Sequence, residues 1–226
     1  MIVGAGAVGV EMAGEIREKY SETKITIVSS QETLVADFTP KFQKNIKSIL
    51  EDQNIQVVVG RVDLSSVVLN KVKTQNVQLS SGENISADLV ISCIGLPSNV
   101  DSIKMLVPSA DNIDNNRIKV NQYLQVDGLT NVFALGDCCN TVERKMAVYA
   151  GKQAECVVAN IVAEAAGKQM TVWSFGFNGM LVPIGSKTGV GYINGFHPLG
   201  FMVRQLKSED LFTKRYWGDL GVKMPA

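Results

Sequence analysis

The chain has 226 residues, enough to bury one large core or two small ones, and its 22 basic side chains balance 22 acidic ones. A formal charge of zero argues against nucleic acid as a general partner, because backbone phosphates demand a basic face. No apolar run approaches the ~20 residues of a membrane span, and residues 1–15 lack the basic flank of a signal peptide.

The chain opens on MIVGAGAVGVEMAGEI, which reads as a short strand, a glycine turn and the start of a helix. Gly4, Gly6 and Gly9 fit G-x-G-x-x-G. In a dinucleotide site the first glycine allows the tight turn, the second lets backbone approach a pyrophosphate, and the third lets helix and strand pack closely. The helix then points its unpaired N–H groups and positive dipole end at that pyrophosphate. The strand–turn–helix setting is what separates this motif from a helix-packing glycine cluster. Only Met1, Ile2 and Val3 precede the turn, fewer than a central strand normally has, so the chain reads as part of something longer.

Val8, Met12, Ala13, Ile16 and Tyr20 recur at helical spacing, and ITIV before Ser29 is the second strand. The residue about 20 positions beyond the glycines selects the cofactor. Ser29 and Ser30 stand there, neither acidic nor basic, so the chain is expected to accept both NADH and NADPH. Thr39-Pro40 opens a second helix as N-cap and first helical residue, with Phe42, Ile46, Ile49 and Leu50 as its buried face. IQVVVGRV is a third strand, residues 64–87 a β-meander turning at Ser81-Gly82-Glu83-Asn84, and the segment from Asp88 to Leu96 a buried strand. The result is a Rossmann-type β-α-β-α-β unit.

From Pro97 to Asn116 the pattern is loop-like with room for one short helix. Residues 118–126 alternate as a strand, and the segment from Asn131 to Cys138 reads as another, ending in Gly136-Asp137. A long helix follows from about Glu143 to Ala166, its apolar side formed by Met146, Ala150, Ala154, Val157, Val158, Ile161 and Val162. Residues 171–226 hold two Gly- and aromatic-rich strands and two terminal helices, the second around DLFTKRYW.

Cys93, Cys138, Cys139 and Cys156 form no C-x-x-C and read as free thiols of a reducing compartment. The vicinal pair is either redox-active or simply two small residues after a strand. His197, the sole histidine, has no metal-site or triad spacing and precedes Pro198, which reads as structural.

Three features line up: a nucleotide glycine turn, a β-meander, and VFALGD followed by a long helix near RKMAVYAG. Together they resemble the pyridine nucleotide-disulfide oxidoreductase-like flavoproteins, in which one Rossmann domain binds FAD and a second, inserted in it, binds NAD(P)H. Within that family GVEMAGEI, LQVDGLTNVFALGD, KMAVYAG, CVVANIV and MVRQLKSEDLF are similar to the apoptosis-inducing-factor-like oxidoreductases of the ferroptosis suppressor group. The fold class implied is α/β: an NAD(P)H-binding Rossmann domain with a meander (1–95), the C-terminal part of an FAD-binding domain (96–168) and a small C-terminal sheet-and-helix domain (169–226).

The resemblance implies that Gly4, Gly6, Val8 and Gly9 hold the NAD(P)H pyrophosphate and that Glu11 lies near the nicotinamide; the alternative for Glu11, by position alone, is an exposed helix carboxylate. Ile94 and Gly95 would bring backbone to the nicotinamide. Asp137 would accept hydrogen bonds from the flavin ribityl chain, Gly136 would let backbone approach it, and Lys145, Met146 and Ala147 would open a helix whose dipole faces the flavin. No catalytic side chain is required beyond these. The activity implied is FAD-dependent NAD(P)H:quinone oxidoreduction with a ubiquinone-type acceptor, and Phe212 would help line the quinone entrance. Leu211, Phe212, Tyr216 and Trp217 are otherwise core. Arg204, Lys207, Lys214 and Arg215 either rest on a membrane surface or form a solvated face. The family's upstream FAD-binding half and N-terminal lipid anchor have no counterpart in these residues. The alternative is therefore a non-catalytic fragment that binds NAD(P)H without a complete FAD site. The expected location is the cytosol or a peripheral membrane face, such as lipid droplets or the outer face of mitochondria.

Overall fold

A computed structural model describes residues 1–95, 97–100 and 112–225. In chain order the elements are β1 (Ile2–Val3), α1 (Ala7–Lys19), β2 (Ile25–Ser29), α2 (Pro40–Asp52), β3 (Ile55–Val59), β4 (Gln75–Gln78), β5 (Asn84–Ala87), β6 (Ile91–Ser92), β7 (Ile113–Asp114), β8 (Arg117–Ile118), α3 (Ala147–Ala165), β9 (Gly179–Pro183), β10 (Gly189–Ile193), α4 (Gly200–Val203) and α5 (Thr213–Asp219). They form two compact units, one of residues 1–95 with 177–226, the other of residues 96–176. Among the described residues no helix is long and apolar enough to cross a membrane.

The first unit is a Rossmann-type α/β fold. Its sheet runs β3-β2-β1-β6, all parallel, with Ile2 opposite Ile27 and Ile91. Side chains alternate across a strand, so Ile2 and Ile27 face a core shared with Val10, Ala13, Phe42, Ile46 and Leu50. Val3 faces the other way, onto a second cluster with Val77, Ala87 and Val90. That second cluster is covered by the meander: β4 and β5 pair antiparallel, and Val62 bridges Leu79. The strand expected from Asp88 to Leu96 shortens to Ile91–Ser92. A ladder is no longer than its partner, and here the Ile91 and Cys93 N–H groups bond to the carbonyls of Met1, just before the two-residue β1, and of Val3 within it. Thr39 caps α2 as expected, its hydroxyl accepting from Phe42 N–H at 3.3 Å.

Part of the C-terminal segment packs into the core of the sheet. Val182, Ile184 and Val190 of the antiparallel β9–β10 hairpin are buried with Ile27 and Phe42 in the sheet's main core. Gly14 makes that approach possible, since a methyl there would overlap the backbone of Ile184 and Gly185. One turn on, Glu18 accepts from the backbone N–H and hydroxyl of Ser186, and these bonds hold its carboxyl below the usual range. His197 lies in the same unit, its ring edge-on to Tyr192 at 5.3 Å and its Nε2 3.5 Å from Thr39 Oγ1, a packing position.

In the second unit the two expected strands give way, beyond Ile118 of β8, to a doubled-back loop. Asn121 Oδ1 accepts from the N–H groups of Tyr123 and Gln125, and Leu124 takes a left-handed φ of 66°. That side-chain turn folds residues 118–126 onto themselves, so Val120 bridges Val126. Residues 131–138 bond to this folded limb, with Ala134 N–H on Leu124 O and Val126 N–H on Val132 O, and end in a 3₁₀ turn, Gly136–Cys138. The long helix begins at Ala147 rather than Glu143. Its buried stripe is Tyr149, Gln153, Val157 and Asn160, while Val158, Ile161 and Val162 are exposed. Two amides hold the inner face because loops satisfy them: Asn160 exchanges hydrogen bonds with the Thr171 backbone at 2.7 and 3.0 Å. Most of the span from Pro97 to Asn116, where one short helix has room, lies on residues 101–111, outside those described.

Candidate functional site

In an open parallel sheet, ligands bind beyond the carboxyl ends of the strands, where neighbouring strands send the chain to opposite sides. Here that position lies between β1 and β6. Gly4 ends β1 with φ 114°, and a side chain on it would run into the carbonyl of Cys93 at the end of β6. Gly9, in the first turn of α1, leaves no room either: a methyl there would overlap the carbonyl of Gly4. These two glycines close strand, turn and helix onto each other.

Gly6 is different. It is the N-cap of α1 and carries no side-chain cap, and a methyl on it would meet no atom within 4 Å. The first N–H groups of a helix have no intrahelical partner, and no acidic residue stands in this first turn. Room, donors and a positive dipole end therefore coincide, which is what an anionic diphosphate needs. The flanks are apolar and open, with Val8 61% and Ile94 62% exposed. Gly95 follows with φ 82° and open space at its Cβ position. The residues present thus fit a dinucleotide. Burial pushes the Cys93 thiol up, leaving a neutral packing group beside the turn.

The two serines after β2 separate. Ser29 is buried and spends its hydroxyl locally, donating to Gln31 O at 2.6 Å and accepting from Gln31 N–H. Ser30 is exposed. Beyond them Val35 adopts φ 47°, rare for a β-branched residue, and its N–H bonds to Ala5 O at 2.9 Å. This contact pins the post-β2 loop to the glycine turn.

Glu11 is half-buried and held in an ion pair. Lys207 Nζ lies 2.8 Å from its Oε1 and also donates to Leu181 O at 3.0 Å. With the partners 196 positions apart, no sequence pattern announces the pair. Lys207 sits in a π-helical turn, Arg204–Ser208, that continues α4. Downstream, Leu211 and Phe212 take consecutive left-handed φ values of 50° and 61°, and Phe212 is half-buried with its N–H on Asp210 Oδ1.

In the second unit, Gly136 has φ 72° and Asp137 is exposed. The Asp137 carbonyl accepts from Ser98 Oγ at 3.0 Å and Arg117 Nε at 3.3 Å, so the turn is held by its backbone and the carboxylate stays at the surface. Met146 is the N-cap of α3 without a side-chain cap bond, and Ala147 is exposed. An exposed carboxylate and an open helix N-terminus in one unit fit the hydroxylated chain and the electron-rich edge of a flavin. Lys145 reaches back to Thr141 O and Oγ1 at 2.8 and 3.1 Å. Cys138 and Cys139 are free thiols, and burial together with its neighbour raises Cys138. Sequence reasoning missed Gln153, whose buried amide accepts from Gly136 N–H at 2.7 Å.

Residues 1–154 match the family model described as pyridine nucleotide-disulphide oxidoreductase. Ferroptosis suppressor protein 1 from Homo sapiens is 35% identical over 221 residues, covering 96% of this chain and 59% of that protein. Apoptosis-inducing factor homolog B from Dictyostelium discoideum is 32% identical over 247 residues, covering all of this chain and 64% of that protein. A ferredoxin reductase structure from Rhodopseudomonas palustris superposes with a TM-score of 0.64 at 19% identity, over 88% of this chain and 54% of that one, a likeness of fold. The chain thus spans about three fifths of the length of the curated relatives it matches. A glycine turn at the sheet's switch point and a family match over its first 154 residues agree: the chain belongs to the pyridine nucleotide-disulphide oxidoreductase family.

Proposed function

We propose that the chain is the NAD(P)H-binding and flavin-contacting portion of an FAD-dependent NAD(P)H:quinone oxidoreductase. The observation that carries this reading is the open, uncapped N-terminus of α1 at Gly6, set at the carboxyl end of a parallel sheet. In such enzymes FAD accepts hydride from NAD(P)H and passes two electrons to the acceptor. The protein's part is placement. Gly4, Gly6, Val8 and Gly9 seat the pyrophosphate, Ser30 meets the adenosine ribose, and Ile94 and Gly95 border the nicotinamide. Glu11, steadied by Lys207, keeps a fixed carboxylate on the nicotinamide side. Asp137 receives the ribityl hydroxyls, Gly136 admits their approach, and the N-terminus of α3 stabilises negative charge on the reduced flavin. The left-handed pair Leu211-Phe212 supports a role for Phe212 at a quinone entrance, since strained non-glycine backbone concentrates at functional sites. The quinone class and any peripheral membrane contact rest on the resemblance to the ferroptosis suppressor group.

A second reading is a dinucleotide-binding portion without turnover. One experiment separates the two. The purified chain is mixed with FAD, freed of unbound flavin and treated with NADH under anaerobic conditions. The enzyme reading expects yellow protein that bleaches and recovers colour on adding a quinone. Colourless protein that still binds NADH would leave the second reading standing.

A further inference from the structure

Gln153 sits in the second turn of α3 and is 1% exposed. An amide in a core is costly unless both ends are satisfied. Both are: Oε1 accepts from Gly136 N–H at 2.7 Å, and Nε2 donates to Thr141 Oγ1 at 3.1 Å. The same Oε1 lies 3.8 Å from Cys139 Sγ. One helical turn earlier Ala150 packs against the Gly136 backbone, its Cβ 3.4 Å from where a side chain on that glycine would begin. Thr141 in turn takes both bonds from Lys145 Nζ. The amide therefore joins two segments: the turn that presents Asp137, and the loop that delivers the chain into the N-terminus of α3. Packing alone explains none of this, because Tyr149 and Val157 fill the same buried stripe with carbon.

We infer that Gln153 is a positioning residue for flavin. It sets the spacing between the Gly136-Asp137 turn and the open N-terminus of α3, so that ribityl hydroxyls and the flavin ring are met together. The inference rests on the flavoprotein reading above. Leucine at 153 keeps the volume and loses both bonds, whereas glutamate keeps an acceptor for Gly136. The test is titration of the full chain with FAD, followed by flavin fluorescence, beside a thermal melt of each variant. Gln153→Leu is expected to weaken FAD binding by about tenfold, equivalent to ~1.4 kcal/mol, with Gln153→Glu restoring it to within about threefold of wild type. Thr141→Val, nearly isosteric, removes the second anchor and carries the same test if Gln153→Leu does not fold; it is expected to weaken binding by about threefold. A folded Gln153→Leu or Thr141→Val with unchanged FAD affinity overturns the inference alone. A wild-type chain that binds no FAD overturns the flavoprotein reading and this inference with it.

Discussion

Gly9→Ala is expected to weaken NADH binding roughly a hundredfold and to destabilise the fold by about 3 kcal/mol, the upper range for forcing an extra methyl into packed backbone. The methyl would fall on the carbonyl of Gly4, and backbone cannot step aside as the end of a flexible side chain can. Relief requires α1 to slide away from β1 or the turn to open, and Gly4 is itself confined by Cys93. Either movement takes the first N–H groups of α1 off the position where a diphosphate would sit. Titration with NADH and a denaturant melt of the same variant measure the two effects. Wild-type affinity in Gly9→Ala would show that the dinucleotide binds elsewhere.

Phe42→Ala is expected to cost about 3–5 kcal/mol, the usual range for removing a buried aromatic side chain. That is a large share of the ~5–15 kcal/mol that holds a typical domain together. Phe42 has no exposed surface, and its ring stacks on Phe38 at 4.8 Å. Phe38 meets Tyr192 of β10 edge-on at 5.9 Å. The cavity would therefore open where α2 joins the C-terminal hairpin to the sheet. Because that hairpin also supplies Leu181 O, one anchor of Lys207, the loss should loosen the Glu11–Lys207 pair as well. Urea unfolding followed by circular dichroism gives the number. A loss below about 0.5 kcal/mol, the level of an ordinary surface change, would contradict a shared core.

What the sequence made legible was local. The glycine turn, the Thr39-Pro40 cap and the meander turn each declare themselves within a few residues, because steric and hydrogen-bonding rules act at that range. The apolar alternation of residues 118–126 misled because a single side chain, Asn121, turns the chain back before a ladder can form. The inner face of α3 was hidden for a related reason. Gln153 and Asn160 are polar, and only the loops that satisfy them make their burial affordable. The docking of residues 177–226 against the sheet had one faint signal. Gly14 stands in a helix interior, where glycine costs about 1 kcal/mol relative to alanine unless close approach requires it. The partner it approaches, Gly185, is too distant in sequence for any pattern to name. The same distance hid the Glu11–Lys207 pair, so the sequence offered only the choice between a nicotinamide-side residue and a solvated carboxylate.

The central claim is that the N-terminus of α1 seats the diphosphate of NAD(P)H, and Gly6→Ala addresses it directly. A methyl at Gly6 meets no protein atom, and its φ of −72° suits alanine, so the fold should lose no more than about 1 kcal/mol. Calorimetric titration of wild type and Gly6→Ala with NADH is the measurement. The expected result is binding by wild type and at least about tenfold weaker binding by a variant that still folds. Equal affinity in the two proteins, or no binding by wild type, would contradict the account.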